Sequence, residues 1–193
     1  GANTDTITVT VNVQDVNDNT PTYSSSSNTK SMQENSLVVD TVLISDSDLD
    51  ATNSNTCNLG GADSSKFTCT ANDSAYVLKF PNGPDYDTPG DADGDNVYVV
   101  TTAINDGTNT GSSITYTLTI TDYNDQTPTY TSSDTTPEVV EGQTAVETVA
   151  ITDTDALDTN GCILGGADAD DFSCTISSTQ YVLAFASAPD YDS

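Results

Sequence analysis

Two short strings in this chain carry the residue types that bind a hard cation. Asp15-Val16-Asn17-Asp18-Asn19-Thr20-Pro21 recurs 107 residues later as Asp122-Tyr123-Asn124-Asp125-Gln126-Thr127-Pro128. Each offers carboxylate, amide and backbone oxygens on a segment that can turn, which is the ligand chemistry of Ca²⁺. Three further acidic elements repeat: Glu34 and Glu141, the pairs Asp46/Asp48 and Asp153/Asp155, and the pairs Asp85/Asp87 and Asp190/Asp192. Residues two apart on an extended chain point to the same side, so both carboxylates of a pair can face one ion. Charge sets the demand. If Glu34, Asp85, Asp87, Asp125, Asp153 and Asp155 converge, carboxylates ~4 Å apart repel by about 4 kcal/mol per pair at an effective dielectric near 20. Two or three divalent cations match that need. A further string, Asp91-Ala92-Asp93-Gly94-Asp95-Asn96, has the alternating acids of a linear calcium loop without its downstream bidentate Glu, and reads as a polar loop.

The rest of the composition narrows the chemistry. Among 193 residues there are 30 acids and 3 lysines, with no Arg and no His, for a net charge of −27. Nothing here could neutralise nucleic-acid phosphates or an anionic membrane surface. Only Glu34, Glu138, Glu141 and Glu147 are Glu; the other acids are Asp, which favours turns and metal sites over strands and helices. A solvated acidic surface is the alternative, and the regular strand patterns argue against a disordered one. Without His or a free-thiol context, an enzyme is not expected. A carboxylate-pair hydrolase would need acids that the repeating pattern already absorbs. No apolar run approaches the ~20 residues of a membrane span. The chain opens inside a strand-like segment and reads as an excerpt from a longer, exported polypeptide.

The elements that must position these acids are strands. Ile114, Tyr116, Leu118 and Ile120 interleave with Thr115, Thr117, Thr119 and Thr121, and Ile7, Val9, Val11 and Val13 interleave with Thr8, Thr10, Asn12 and Gln14. Period two with one polar face is a half-buried strand. Further strands are expected near 40–44, 66–70, 75–80 and 96–104, and no segment has a 3.6-residue period. Short strands separated by Gly, Asn, Asp and Pro point to an all-β sandwich. Gly60-Gly61-Ala62-Asp63 returns at Gly165-Gly166-Ala167-Asp168, and Tyr76-Val77-Leu78 at Tyr181-Val182-Leu183, so the chain contains an internal repeat. Its phase divides the chain into 1–19, the last strand and linker of one module; 20–126, a complete module; and 127–193, a module without its final strands.

Cys57 and Cys69 are twelve residues apart, as are Cys162 and Cys174, each pair bracketing the Gly-Gly-Ala-Asp turn. Adjacent strands of a hairpin would put them within disulfide reach. Four cysteines allow three pairings, and the repeat favours Cys57–Cys69 and Cys162–Cys174. Such bridges contribute roughly 3 kcal/mol each and imply an oxidising, extracytoplasmic compartment.

Taken together, these strings resemble tandem cadherin-like repeats of the kind found in large bacterial and environmental surface proteins. The carriers are the two Asp-x-Asn-Asp-x-x-Pro strings, Gln33-Glu34-Asn35, Ser45-Asp46-Ser47-Asp48, Thr152-Asp153-Thr154-Asp155, Asp85-Tyr86-Asp87-Thr88-Pro89 and the string from Asp91 to Tyr98. The resemblance implies tandem seven-stranded Greek-key β-sandwich modules of the cadherin/immunoglobulin-like class, with Ca²⁺ as cofactor between modules. One linker would take Glu34, Asp85 and Asp87 from upstream, Asn124 and Asp125 by side chain, Tyr123 and Gln126 by carbonyl, and Asp153, Asp155 and Asn160 from downstream. The earlier linker would take Asn17, Asp18, Asn19, Asp46 and Asp48, with Asn53 or Asn55, and Asn105 or Asp106. Glu141, Asp190 and Asp192 would serve the module end that follows. Departures are Asp87 for the family's Glu and Gln126 for the final Asn; the cysteine pairs are not a general family feature. There is no Trp, which leaves Trp strand-swap adhesion unsupported. The implied function is an extracellular, calcium-rigidified adhesive or structural array, with neighbouring repeats or identical chains as partners. The alternatives are a filament subunit that polymerises by β-strand complementation and a calcium-dependent module binding extracellular glycans; nucleic acid and membrane insertion are excluded.

Overall fold

A computed structural model describes residues 1–24, 27–48, 55–130, 134–155, 160–177 and 179–192. It divides into two compact units, Gly1–Thr121 and Asp122–Ser193. The first unit holds β1 (Thr22–Tyr23), β2 (Thr29–Gln33), β3 (Val38–Ser45), β4 (Thr56–Gly60), β5 (Thr68–Ala71), β6 (Ala75–Lys79), β7 (Val97–Asn105) and β8 (Thr110–Thr121). They form two four-stranded sheets, β1-β3-β6-β5 and β2-β8-β7-β4. The chain enters through two short strands that join different sheets: β1 pairs antiparallel with β3 in one, and β2 pairs parallel with β8 in the other. The second unit holds β9 (Thr129–Tyr130), β10 (Ala145–Thr152), β11 (Phe172–Ile176) and β12 (Gln180–Phe185) in one sheet, ordered β11-β12-β10-β9. This sheet is the counterpart of β1-β3-β6-β5. No helix among the described residues is long and apolar enough to cross a membrane.

Strand alternation builds the core of the first unit. Along β7 buried and half-buried residues alternate without a break, and Tyr98, Val100, Thr102 and Ile104 face inward. They meet Val42, Tyr76, Leu78, Tyr116, Leu118 and Ile120 from the facing strands. The hydroxyls of Tyr76, Tyr116 and Thr102 are satisfied across the sandwich, as burial demands. Tyr76 and Tyr116 share a hydrogen bond of 2.8 Å, Tyr76 reaches Thr102 at 3.1 Å, and Tyr116 donates to Asp40 at 3.1 Å. Asp40 in turn pairs with Lys30 at 3.0 Å. Burial pushes the Tyr76 hydroxyl above the ordinary phenol range, against the pull of its hydrogen bonds to Thr102 and Tyr116.

Three expectations are corrected. The strand expected at 66–70 begins at Thr68, because Ser64–Lys66 form a 3₁₀ turn that carries the chain into it. Residues 7–13 alternate as a strand does but pair with no strand among the described residues, since a strand is defined by a neighbour. The cysteines are not hairpin neighbours. Cys57 lies on β4 and Cys69 on β5, edge strands of different sheets, so the bridge staples the two sheets across the sandwich. The pairings Cys57–Cys69 and Cys162–Cys174 are as expected.

The Gly-Gly-Ala-Asp turn is a latch as well as a turn. Gly61 has φ +95°, and a Cβ there would meet the Val99 carbonyl at 2.8 Å, so only Gly fits. That close approach brings the buried Asp63 carboxylate onto the N–H groups of Ala92 and Val99, both at 2.7 Å. Its counterpart Asp168 is exposed. Replacing Asp63 by Ala strands two N–H groups and is expected to cost the first unit about 2 kcal/mol; Asp168→Ala is expected to be near neutral. Urea unfolding of both variants checks this, and equal midpoints would contradict the latch.

Candidate metal centre

Strand ends gather the acids. Asp46 and Asp48 leave β3, Asp106 leaves β7, and the string from Asp15 to Pro21 runs into β1. In the first unit one carboxylate oxygen each from Asp46, Asp48 and Asp106 lie within 4.8 Å of one another. Asp48 and Asp106 are 3% and 0% exposed, so the cluster is sunk into the fold. Asn19 clamps it from the string: its backbone N–H donates to Asp48 at 2.8 Å, and its side-chain amide reaches the other Asp48 oxygen. Asn17 donates to the Asp106 carbonyl at 3.2 Å. Asp46 accepts the Asp48 N–H at 3.2 Å, the local bond expected of an Asp-x-Asp turn.

Asp106 is tuned for charge. Burial works against its ionised form, but hydrogen bonds from the Asn109 and Thr108 backbone and from the Asn109 and Asn17 side chains outweigh it, and its carboxyl lies below the usual range. The two backbone bonds measure 2.6 and 2.7 Å. Beside it in register is Asn55, because Thr56 pairs with Asn105 in the β4–β7 ladder. Asn55 is 6% exposed, and neither its amide oxygen nor its nitrogen has a hydrogen-bond partner. A buried orphan amide is costly unless something else satisfies it. The sequence offered Asn53 or Asn55: Asn53 lies outside the described residues, and Asn55 stands beside the cluster. Of Asn105 and Asp106, Asp106 enters the cluster, while the Asn105 side chain bonds Gly107 and Thr110 in the β7–β8 turn. Asp18 is exposed and accepts from the Asn19 amide at 3.1 Å.

Sequence reasoning missed Asn109. Its amide donates to the Asn19 carbonyl at 2.9 Å and to Asn17 at 3.3 Å, tying the string to the β7–β8 turn. The signal lies three residues past Asp106, in a turn that reads as ordinary punctuation.

At the end of β8, a second set gathers in the first unit. The Glu34 N–H donates to the Thr121 carbonyl at 3.0 Å. Its carboxylate is buried and accepts the Tyr86 N–H at 2.8 Å, and a carboxylate oxygen of the adjacent Asp87 lies within 4.8 Å of one of its own. Asp85 accepts the Thr88 N–H at 2.9 Å. Asp91, Asp93 and Asp95 also converge within 4.8 Å, but Asp91 accepts from Gly94, Asp95 and Val97, the work of a turn.

The second unit repeats the local geometry. Asp155 accepts the Gln126 N–H at 2.9 Å, as Asp48 does from Asn19, and Asp153 accepts the Asp155 N–H at 3.3 Å, as Asp46 does from Asp48. The Gln126 amide bonds Asp125 at 2.7 Å. Asp155 is buried, and one of its oxygens has no hydrogen-bond partner. Tyr123, Asn124 and Asp125 are exposed, and Asn160 is half-buried. Glu141 accepts the Tyr191 N–H at 3.2 Å, as Glu34 does from Tyr86, and Asp190 accepts the Asp192 N–H at 3.1 Å.

No protein-family model matches the sequence, and no curated protein matches it. Solved structures do. The chain is similar to a protocadherin gammaB7 EC3-6 cis-dimer structure, with a TM-score of 0.58 and 22% identity over 92% of this chain and 45% of that one. It is similar to mouse cadherin-23 EC22-24, with a TM-score of 0.55 and 20% identity over 93% of this chain and 57% of that one. The chain therefore spans about half the length of these structures. Its all-β sheets have the fold of cadherin extracellular domains.

Proposed function

We propose that this chain is a segment of an extracellular, calcium-rigidified adhesive or structural array built from cadherin-like modules. The observation that carries the reading is the first unit's cluster of Asp46, Asp48 and Asp106, with the buried, unpartnered Asn55 beside it. Ca²⁺ fits this donor set, because it takes hard oxygens from carboxylates and amides, and the Asn55 oxygen is one it could satisfy. Asn17, Asp18 and Asn19 would complete that site from the string. In the first unit Glu34, Asp85 and Asp87 would offer further oxygens to a cation, and in the second unit Tyr123, Asn124, Asp125, Gln126, Asp153, Asp155 and Asn160 would offer another set. Glu141, Asp190 and Asp192 would be half of a third. Bound Ca²⁺ supplies positive charge where the fold crowds carboxylates. The protein's own part is to hold those oxygens in place from strand ends and to bond the string to Asp48 and Asp106, so that an ion fixes the chain entering the module.

The fold similarity supports an adhesive or structural role over catalysis, with neighbouring modules or identical chains as partners. The two disulfides support an oxidising, extracellular setting. Titration calorimetry tests the reading. The chain is expected to bind Ca²⁺ at roughly 10⁻⁴–10⁻³ M, and Asp48→Asn with Asp106→Asn is expected to abolish one class of site while the rest still titrate. Heats no larger than those of NaCl dilution would refute it.

A further inference from the structure

The side-chain amide of Asn109 sits against oxygens drawn from separate parts of the first unit. Its nitrogen donates to the Asn19 carbonyl at 2.9 Å and to the Asn17 side-chain oxygen at 3.3 Å, and reaches Asp106 Oδ2 at 3.5 Å. An amide nitrogen carries two hydrogens, so it serves three acceptors poorly, whereas a cation attracts all of them. Asp106 belongs to the carboxylate cluster with Asp46 and Asp48, and Asn17 and Asn19 are the string residues proposed to complete that site. These oxygens do not depend on the amide for their positions. Asn17 is held by its own nitrogen, which donates to the Asp106 carbonyl at 3.2 Å. Asn19 is held by its N–H on Asp48 at 2.8 Å. Asp106 is held through its other oxygen by the N–H groups of Thr108 and Asn109. The amide therefore adds hydrogen bonds to a set of acceptors that other bonds already fix.

Resting on the calcium reading, we infer that the Asn109 side chain is an internal competitor for the cation: its NH₂ group engages oxygens that Ca²⁺ must take, and so sets the affinity of the site. The physical reason is exclusion. Calcium lies roughly 2.3–2.6 Å from its oxygen ligands, and N–H hydrogens aimed at the same lone pairs would face the ion directly. Binding at these oxygens therefore breaks the hydrogen bonds of the amide, and that loss is subtracted from the binding free energy. When calcium is scarce, the same bonds tie the string to the β7–β8 turn, so the chain entering the module keeps its place. Asn109 thus trades affinity for order at low calcium. A ligand role would have the opposite sign: if the amide turned its oxygen to the ion, removing it would weaken binding.

Titration calorimetry and urea unfolding of the full 193-residue chain test this. The probe is Ca²⁺ alone, and the site is identified as the class lost with Asp48→Asn and Asp106→Asn. Asn109→Ala is expected to tighten that class about 5- to 10-fold, the effect of no longer breaking one net hydrogen bond. The same variant is expected to lower the urea midpoint of the chelator-treated chain. Opposite signs in the two measurements are the signature of a competitor. Asn105→Ala is the control, because Asn105 bonds Gly107 and Thr110 within the same turn; it is expected to loosen the turn without tightening calcium. Binding that Asn109→Ala weakens or leaves unchanged would overturn the inference, as would equal tightening by Asn105→Ala. Those outcomes leave the calcium reading standing. Absence of calcium heats in the unaltered chain defeats that reading, and the competitor with it.

Discussion

Millimolar Ca²⁺ is expected to raise the melting temperature of this chain by several degrees, and NaCl at equal ionic strength is not. With dissociation constants of roughly 10⁻⁴–10⁻³ M, ~10 mM Ca²⁺ adds about 1.4–2.7 kcal/mol per site that forms only in the folded state. For a module of about 100 residues, each kcal/mol is worth about 4–8 °C. The effect should concentrate in the first unit, where Asp46, Asp48 and Asp106 already converge. Magnesium should do far less, because it demands strict octahedral geometry and gives up water reluctantly. Sodium chloride separates ion binding from screening, which would also relieve part of the self-repulsion of a chain of net charge −27. Scanning calorimetry with each salt decides it. If NaCl reproduces the whole shift, the acids are a solvated surface and the proposed function falls.

The second large effect belongs to the Cys57–Cys69 bridge. Replacing both residues by Ala is expected to cost the first unit about 3 kcal/mol, the loop-closure contribution of a short disulfide loop. Because the bridge joins the edges of two sheets, its loss should also loosen the contact between β4 and β5. Amide exchange on those two strands is therefore expected to accelerate more than on β7 or β8. Denaturant titration with exchange mass spectrometry checks both. Loss of stability with uniform acceleration across the unit would contradict the stapling role.

Much of this was legible in the sequence, for reasons that also explain the rest. Alternation along 114–121 specified β8 and its buried face because a strand's period is fixed by its backbone. Cysteine spacing and repetition gave the right pairs but the wrong placement. Hairpin neighbours and facing edge strands both bring Cα atoms to about 6 Å, and spacing cannot tell them apart. The Asp-x-Asp pairs announced Asp46 and Asp48, and the two Asn candidates included Asn55. The roles of Asn109 and Asp63 in the fold were invisible because each acts on a backbone distant in sequence: Asn109 on Asn19, Asp63 on Ala92 and Val99. Residues 7–13 show the converse. A strand pattern is local, but a strand needs a partner, and sequence alone does not say whether one is beside it.

The parallel pairing of β2 with β8 has a mechanical consequence. β2 lies near the start of the first unit and β8 at its end, and the two point the same way. Tension applied through the chain at the two ends of this unit draws β2 backward and β8 forward along their shared axis. The rungs between Thr29–Thr117 and Gln33–Thr121 are then loaded together in shear, rather than one at a time as when a hairpin is peeled from its open end. Rupture requires several bonds to fail at once. Even after these strands part, the Cys57–Cys69 bridge still spans the two sheets and withholds the enclosed residues from extension. A chain of such modules would bear load before it lengthened, and would lengthen in defined steps.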